Sequence, residues 1–387
     1  MLSFNLSYII IYYLSYKMKP ILIVGAGLSG CTIARQLAEK GYSIHIIEKR
    51  NHIGGNCYDY IDSNGIRINQ YGAHIFHTNI ERVWKFVNQY SEWTPWYHKV
   101  IGKIDTALFP IPVNIDTVNE LCNESITSEE EMKQWLETHT ESYPQPANSE
   151  EVALNRVGKE LYEKIFKQYT YKQWDKYPHE LHPSVLERIP VRTTKDPHYF
   201  SDKYQALPTH GYTAFIQKMI DHSLITVSLD TEYEDSMREK YDAIFYTGPI
   251  DTYYQSYHYP KLEYRSIVFE IEHLEIDQFQ PNSVVNYPSD KEPYTRIVEY
   301  KHFLDQKVPG KTTIVKEYTV GGGDPYYPVP TDHNKKIYEQ YQQLAKEDEK
   351  KGIYFVGRLA NYKYYNMDAA IDAALDVADH FLNCVQI

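Results

Sequence analysis

Ile21-Leu22-Ile23-Val24-Gly25-Ala26-Gly27-Leu28-Ser29-Gly30 is the stretch whose reading decides the fold. Four aliphatic residues without a polar interruption mark a strand buried on both faces, as in a parallel sheet. The glycines let the chain turn tightly, let a pyrophosphate approach the backbone, and let the next helix pack on the strand with its N-terminus toward the phosphates. Residues 31–40 continue as a helical stretch that Gly41 closes, and the apolar run 43–47 ends on Glu48, placed to accept hydrogen bonds from a ribose. A lone glycine motif is weak, but strand, glycines, helix, strand and acid in this order read as a dinucleotide-binding β-α-β unit. Gly25, Ala26, Gly27, Leu28, Ser29, Gly30 and Glu48 are thus candidate cofactor contacts.

Further along, residues 81–90, 128–138 and 150–167 carry helical spacing, with acidic residues near the starts of the last two. Segments 262–271, 283–287, 295–300 and 312–318 are rich in Val, Ile, Thr and Tyr and are separated by turn residues, predicting an antiparallel sheet. Nucleotide-fold character returns with the strand 353–356, Gly357 and a helix over 367–381. The expected fold is α/β with α+β elements. A discontinuous Rossmann-type domain takes residues 18–78, 205–260 and 335–387, a mainly helical domain 79–185, and an antiparallel sheet or substrate domain 186–204 and 261–334.

With 387 residues, 42% of them hydrophobic, the chain can bury more than one core. A net charge of -12 and a pI near 5.7 argue against nucleic acid as a partner, so an anionic substrate must meet a local cluster of Arg or Lys. Cys31, Cys57, Cys122 and Cys384 show neither CxxC spacing nor a paired framework, which fits reduced thiols in the cytoplasm. Residues 1–16 bear no charged side chain and include an apolar run at 9–14. That run is short of the roughly 20 residues a spanning helix needs, and it lacks a basic flank and a cleavage site. Residues 1–17 are therefore expected to be an extension before a start at Met18, without a membrane role.

What separates a flavin from a nicotinamide dinucleotide is the continuation Lys49-Arg50-Asn51-His52-Ile53-Gly54-Gly55-Asn56, which resembles flavoproteins of the amine-oxidase type. There a basic residue follows the acid and a Gly-Gly turn passes the flavin, which adds Lys49, Arg50, Gly55 and Asn56 to the cofactor contacts. Three later segments resemble successive signatures of the UDP-galactopyranose mutase family: Tyr71-Gly72-Ala73-His74-Ile75-Phe76-His77-Thr78, Tyr169-Thr170-Tyr171-Lys172-Gln173-Trp174 and Arg188-Ile189-Pro190-Val191-Arg192. Tyr294-Thr295-Arg296-Ile297, Asp324-Pro325-Tyr326-Tyr327-Pro328 and the run 357–365 continue the resemblance, which covers about residues 18–380.

The resemblance implies interconversion of UDP-galactopyranose and UDP-galactofuranose by reduced FAD, whose N5 attacks the anomeric carbon as UDP leaves. The ring opens as a flavin iminium adduct, the 4-hydroxyl recloses on C1, and UDP returns. It further implies that Arg188 and Arg296 are the catalytic arginines that stabilise the departing pyrophosphate. Tyr169 and Trp174 would then lie near uridine, and Tyr199, Tyr327 and Tyr364 would reach the diphosphate or sugar. His74 and His77 would stand beside the isoalloxazine, with Gly357, Arg358 and Met367 also on the cofactor side. An external reductant, a homodimer and a role in cell-surface polysaccharide synthesis are expected on the same ground.

One residue departs from the family pattern, because Tyr365-Asn366-Met367 stands where an aspartate is common at the middle position. Asn366 can hydrogen-bond but cannot act as a base, which opens the door to a modified hexose such as an N-acetylated one. Blander readings stand beside the sharp ones. Among 38 tyrosines any one is more often packing than site. Trp174 could anchor a core, and either arginine could be a surface ion pair. His74 and His77 lack a carboxylate or Cys at ligand spacing, so no metal is expected. The rival functions are an amine-oxidase-like flavin oxidoreductase and a non-catalytic UDP-sugar or flavin binder.

Overall fold

The structure is a computed structural model that describes residues 19–385, so the extension assigned to 1–17 and the start at Met18 lie outside the described residues. A parallel sheet of five strands runs in the spatial order Ile225–Ser228, Ile44–Ile47, Ile21–Val24, Ala243–Tyr246, Ile353–Phe355. Its central strand is enclosed on both faces, with Leu22 and Ile23 at 0% exposure, as the uninterrupted aliphatic run predicts. The helix Leu28–Ala38 buries Ile33, Ala34 and Leu37, and the C-terminal helix Met367–Val385 packs against it. A Cβ on Gly30 would fall 2.0 Å from the Gly25 carbonyl oxygen, so this helix can meet its strand only through a glycine.

A second, seven-stranded sheet has the order Tyr327–Pro328, Tyr264–Leu274, Thr312–Gly321, Arg296–Glu299, Val284–Asn286, Val100–Ile104, Ala107–Ile111. Every pairing is antiparallel except that of Val284–Asn286 with Val100–Ile104. The expected α/β class with a Rossmann-type unit is thus present, but the helical segment 79–185 is not purely helical. The hairpin Val100–Ile104 and Ala107–Ile111, turning at Asp105 in a left-handed conformation (φ 52°), belongs to the large sheet. Gly102, Lys103 and Pro110 break the strand pattern locally, and the pairing with Val285 and Ile101 bridges distant parts of the chain. A three-stranded sheet of Phe76–Thr78, Tyr204–Pro208 and Trp93–Pro95 likewise joins segments that the sequence assigned to separate domains.

Two of the longer helices in this region begin on side-chain caps, whereas Glu81–Val87 and Gln168–Trp174 have none. Ser128 and Glu131 form a reciprocal capping box at Glu129–His139, and the Asn148 side chain accepts from Glu151 N–H at Ser149–Leu161. The helix expected over 150–167 is broken at Gly158, which sits at φ 75° and ψ 174°, and it continues as a π-helical turn over Tyr162–Lys167. The next helix, Gln168–Trp174, stops at Asp175 in a left-handed conformation.

Candidate active site

The seven-stranded sheet, the helical segment and the stretches 71–77, 185–202 and 358–367 line a cavity of about 500 Å³. Strand register builds its charged floor. Arg296 stands directly opposite Glu317, and its Nε donates to Glu317 Oε2 at 2.7 Å. Glu317 is 2% exposed and its second oxygen, Oε1, has no partner. A buried carboxylate is costly unless paired, so Arg296 balances it and in turn keeps its own charge: burial lowers the guanidinium, but Glu317 and then Tyr169 and Tyr327 outweigh that.

Arg188 follows the short helix Ser184–Glu187, and its guanidinium lies 4.2 Å above the ring of Tyr364. Tyr364 stacks on Tyr327 at 5.3 Å and 14°, with Arg358 5.2 Å from the Tyr327 centroid and 5.4 Å from that of Tyr364. Burial works to raise the Tyr364 phenol, yet Arg188 and Arg358 outweigh it and hold the phenol below its usual value. Tyr327, Tyr169 and Tyr199 are all shifted upward, with burial the first cause. Among the described residues neither Arg188 nor Arg358 has a carboxylate at ion-pair distance, and both line the cavity. In a chain of net charge -12, two uncompensated guanidinium groups facing one cavity make a local site for an anion.

Two histidines in the wall are neutral. His74 Nδ1 donates to the Gly72 carbonyl at 2.7 Å, which leaves Nε2 as the acceptor. Burial, then Arg358, pushes His74 down to about 4, and burial, then Arg296, pushes His98 down to about 3. His77 Nδ1 donates to Asp202 Oδ2 at 2.9 Å, while its ring stacks on Phe200 at 3.7 Å.

The structure brings together Tyr169, Arg188, Tyr199, Arg296, Tyr327, Tyr364, Asn366, His74, His77, Arg358 and Met367 around this cavity. Trp174, read as a substrate contact, is not among its lining residues. It is 2% exposed, meets Tyr327 edge-on at 6.5 Å, and its indole N–H has no partner. Gln173 lines the wall instead. Lys49 is half exposed and bonds Asp324 at 3.1 Å, whereas Arg50 reaches Asn56 at 3.0 Å and lies 4.2 Å above the Tyr71 ring. Glu317, Asn286 and His98 were not anticipated. Glu317 could have been suspected as the lone acid on the inward face of an apolar strand, whereas the other two carry no local signal.

The glycine turn fits a dinucleotide. Glu48, 6% exposed, accepts from the backbone N–H groups of Ala26 and Arg50 at 2.9 and 3.0 Å, which fixes the turn. A Cβ on Gly55 would lie 3.0 Å from the Gly27 Cα, while a Cβ on Gly27 would meet nothing nearer than 3.8 Å. Gly25 and Gly30 are thus required by packing, and Gly27 leaves open backbone facing Gly55. The helix Leu28–Ala38 has no side-chain cap, so its first amides are free for phosphate oxygens.

Comparison with known proteins agrees with this geometry. The sequence model described as UDP-galactopyranose mutase matches residues 164–364, and one for an NAD(P)-binding Rossmann-like domain matches 23–90. The chain is 43% identical to a probable UDP-galactopyranose mutase of Klebsiella pneumoniae, covering 95% of this chain and 96% of the relative. It is 37% identical to the dTDP-fucopyranose mutase of Escherichia coli, over 94% of this chain and 99% of that protein. A crystal structure of reduced UDP-galactopyranose mutase superposes with a TM-score of 0.76 at 17% identity, covering 95% of this chain and 96% of that one, which speaks to the fold.

Proposed function

This chain belongs to the UDP-galactopyranose mutase family, and we propose that it interconverts UDP-galactopyranose and UDP-galactofuranose with reduced FAD, supplying furanose donors for cell-surface glycans. The observation that carries the reading is the pair Arg188 and Arg296 converging on one cavity that also holds the neutral histidines and the tyrosine stack. FAD fits the glycine turn, with Gly27 and Gly55 beside the pyrophosphate and His74, Arg358 and Met367 in the wall toward the flavin. When bound and reduced, the flavin supplies the nucleophile for the anomeric carbon.

The chain's own residues bind, orient and stabilise. Arg188 and Arg296 grip the diphosphate and gain strength as negative charge gathers on it during departure, because charge-assisted hydrogen bonds to a developing anion are the strong ones. Glu317 holds Arg296 in place through its Nε and leaves the outer guanidinium nitrogens for the ligand. Tyr364, its phenol drawn down by Arg188 and Arg358, orients the phosphates or the sugar by hydrogen bonding. His74 is a neutral acceptor through Nε2.

Asn366 in the cavity wall favours a second reading in sugar choice, because a neutral amide replaces the charge that repels or orients sugar hydroxyls. The relative named dTDP-fucopyranose mutase makes a deoxyhexose the natural alternative beside an N-acetylated hexose. The test is to incubate the purified holoprotein with UDP-galactofuranose, dTDP-fucofuranose or UDP-N-acetylgalactofuranose, with and without dithionite, and to separate the products by chromatography. Conversion of UDP-galactofuranose only under reduction is expected. Conversion without reductant would remove the reduced-flavin route, and stoichiometric flavin reduction by substrate would replace the mutase with an oxidoreductase.

A further inference from the structure

Lys172 makes an unusual set of contacts. It projects from the helix Gln168–Trp174, and its ammonium donates to four backbone carbonyls of one turn: Ser289 at 2.7 Å, Tyr294 at 3.0 Å, Glu292 at 3.1 Å, and Tyr287. An ammonium has three N–H bonds, so this cage saturates it. Burial lowers the group to about 8, against the opposing pull of Glu292 and Asp290, so it remains mostly charged at neutral pH.

The caged turn, residues 287–294, joins the strands Val284–Asn286 and Arg296–Glu299, in which Asn286 stands opposite Arg296. Tyr287 N–H donates to the Thr295 carbonyl at 2.9 Å, so the cage closes the mouth of the hairpin one step from Arg296. Across the cavity, the helix that carries Lys172 supplies Tyr169, Thr170 and Gln173 to the wall. We propose that Lys172 is a positioning residue: from the wall that carries Tyr169 it pins the turn that sets Arg296, and so fixes the spacing between the nucleoside side of the site and its diphosphate clamp. The proposal rests on the reading of a uridine diphosphate ligand.

The helix has a tether of its own, because Arg265 Nε donates to the Gln173 carbonyl at 3.2 Å and its guanidinium lies 3.6 Å from Asp175. Removal of the Lys172 ammonium therefore frees the turn and not the helix. A nucleoside contact made by the helix survives, while a diphosphate contact made by Arg296 is lost.

Calorimetry on the flavin-loaded protein tests this with uridine and UDP as the two probes. Lys172→Met should weaken UDP by about tenfold, the equivalent of one charge-assisted hydrogen bond, and leave uridine within about twofold. Lys172→Arg guards against a variant that fails to fold: a planar fork cannot serve four carbonyls converging on one point, so it should show a smaller fall in the same UDP-to-uridine ratio. Combined with Arg296→Ala, Lys172→Met should add no further loss. An unchanged ratio in both variants, or losses that add, would overturn the inference while wild-type UDP binding kept the proposed function. A wild-type protein that binds no UDP would overturn both.

Discussion

In the proposed function Arg188 and Arg296 have equivalent roles toward an anion, but in the structure they have unequal roles toward the fold. Arg296 neutralises Glu317, which is 2% exposed, whereas Arg188 touches an aromatic ring and the Val185 carbonyl. Removing one partner of a buried ion pair costs about 3 to 5 kcal/mol, because the other charge stays buried. Arg188→Ala should therefore lower kcat/KM by about 100-fold or more with a melting temperature near that of the wild type. Arg296→Ala should lose both activity and stability. Adding Glu317→Gln to Arg296→Ala should restore much of the stability and none of the activity, as read by thermal unfolding and product chromatography. Equal melting temperatures for the two single variants would show that Glu317 is not carried by Arg296. Both arginines were legible from their motifs, whereas Glu317 shows in the sequence only as the lone acid of its strand, and its role comes from facing Arg296 across a strand pair whose register no local pattern states.

At the scale of single elements, two features invite tests away from the site. Gly158 interrupts its helix at φ 75°, and a Cβ there would lie 2.2 Å from the His139 carbonyl oxygen of the preceding helix. Left-handed backbone costs a non-glycine residue about 1 to 2 kcal/mol before any clash is counted. Gly158→Ala should thus lower the melting temperature while the ratio of bound flavin in the folded fraction stays at the wild-type value. Loss of flavin at unchanged stability would count against a purely structural role. The helical spacing of 150–167 hid this break, because periodicity records which side chains face inward and is nearly blind to one residue in an unusual conformation.

His302 offers an element-scale pH test. The Glu299 side chain, which Phe279 N–H, Gln280 N–H and Thr312 also engage, raises His302 above its usual value of 6.5. A raised folded value means stability that is fully present below pH 6.5 and is lost as the pH climbs through the raised value. The melting-temperature gap between wild type and His302→Gln should therefore be widest near pH 6 and shrink toward alkaline pH, each at fixed ionic strength. A gap that widens with pH would reverse the sign and remove His302 as a stabilising cation. His74 and His98 have the opposite sign, since their lowered values cost stability as the pH falls below 6.5.

Taken as a whole, the molecule gathers its candidate cofactor and substrate residues from both ends of the chain. Gly27 and Gly55 come from the first sheet region, Arg296 and Glu317 from the large sheet, and Arg358 and Met367 from the segment that returns to the first sheet. The order of motifs made the return to the nucleotide fold legible, since Ile353–Phe355 is an aliphatic-aromatic strand followed by Val356 and Gly357. The transfer of Val100–Ile104 and Ala107–Ile111 into the large sheet was not legible, because it depends on a parallel contact at Val285 and Ile101. With one buried core running from Ile23 and Phe245 of the first sheet to Val298 and Val315 of the large sheet, unfolding of one sheet should expose the other, so calorimetric melting is expected to be one cooperative transition. FAD at about 100 times its dissociation constant should stabilise that transition by about 2.7 kcal/mol, since a ligand bound only to the folded state acts on whatever unfolds with its site. UDP added to the holoprotein should shift the same transition further, and should fail to do so in Arg188→Ala. Two resolved transitions, with FAD moving one and UDP the other, would instead establish that the nucleotide fold and the large sheet melt as separate units and that their common core does not couple them.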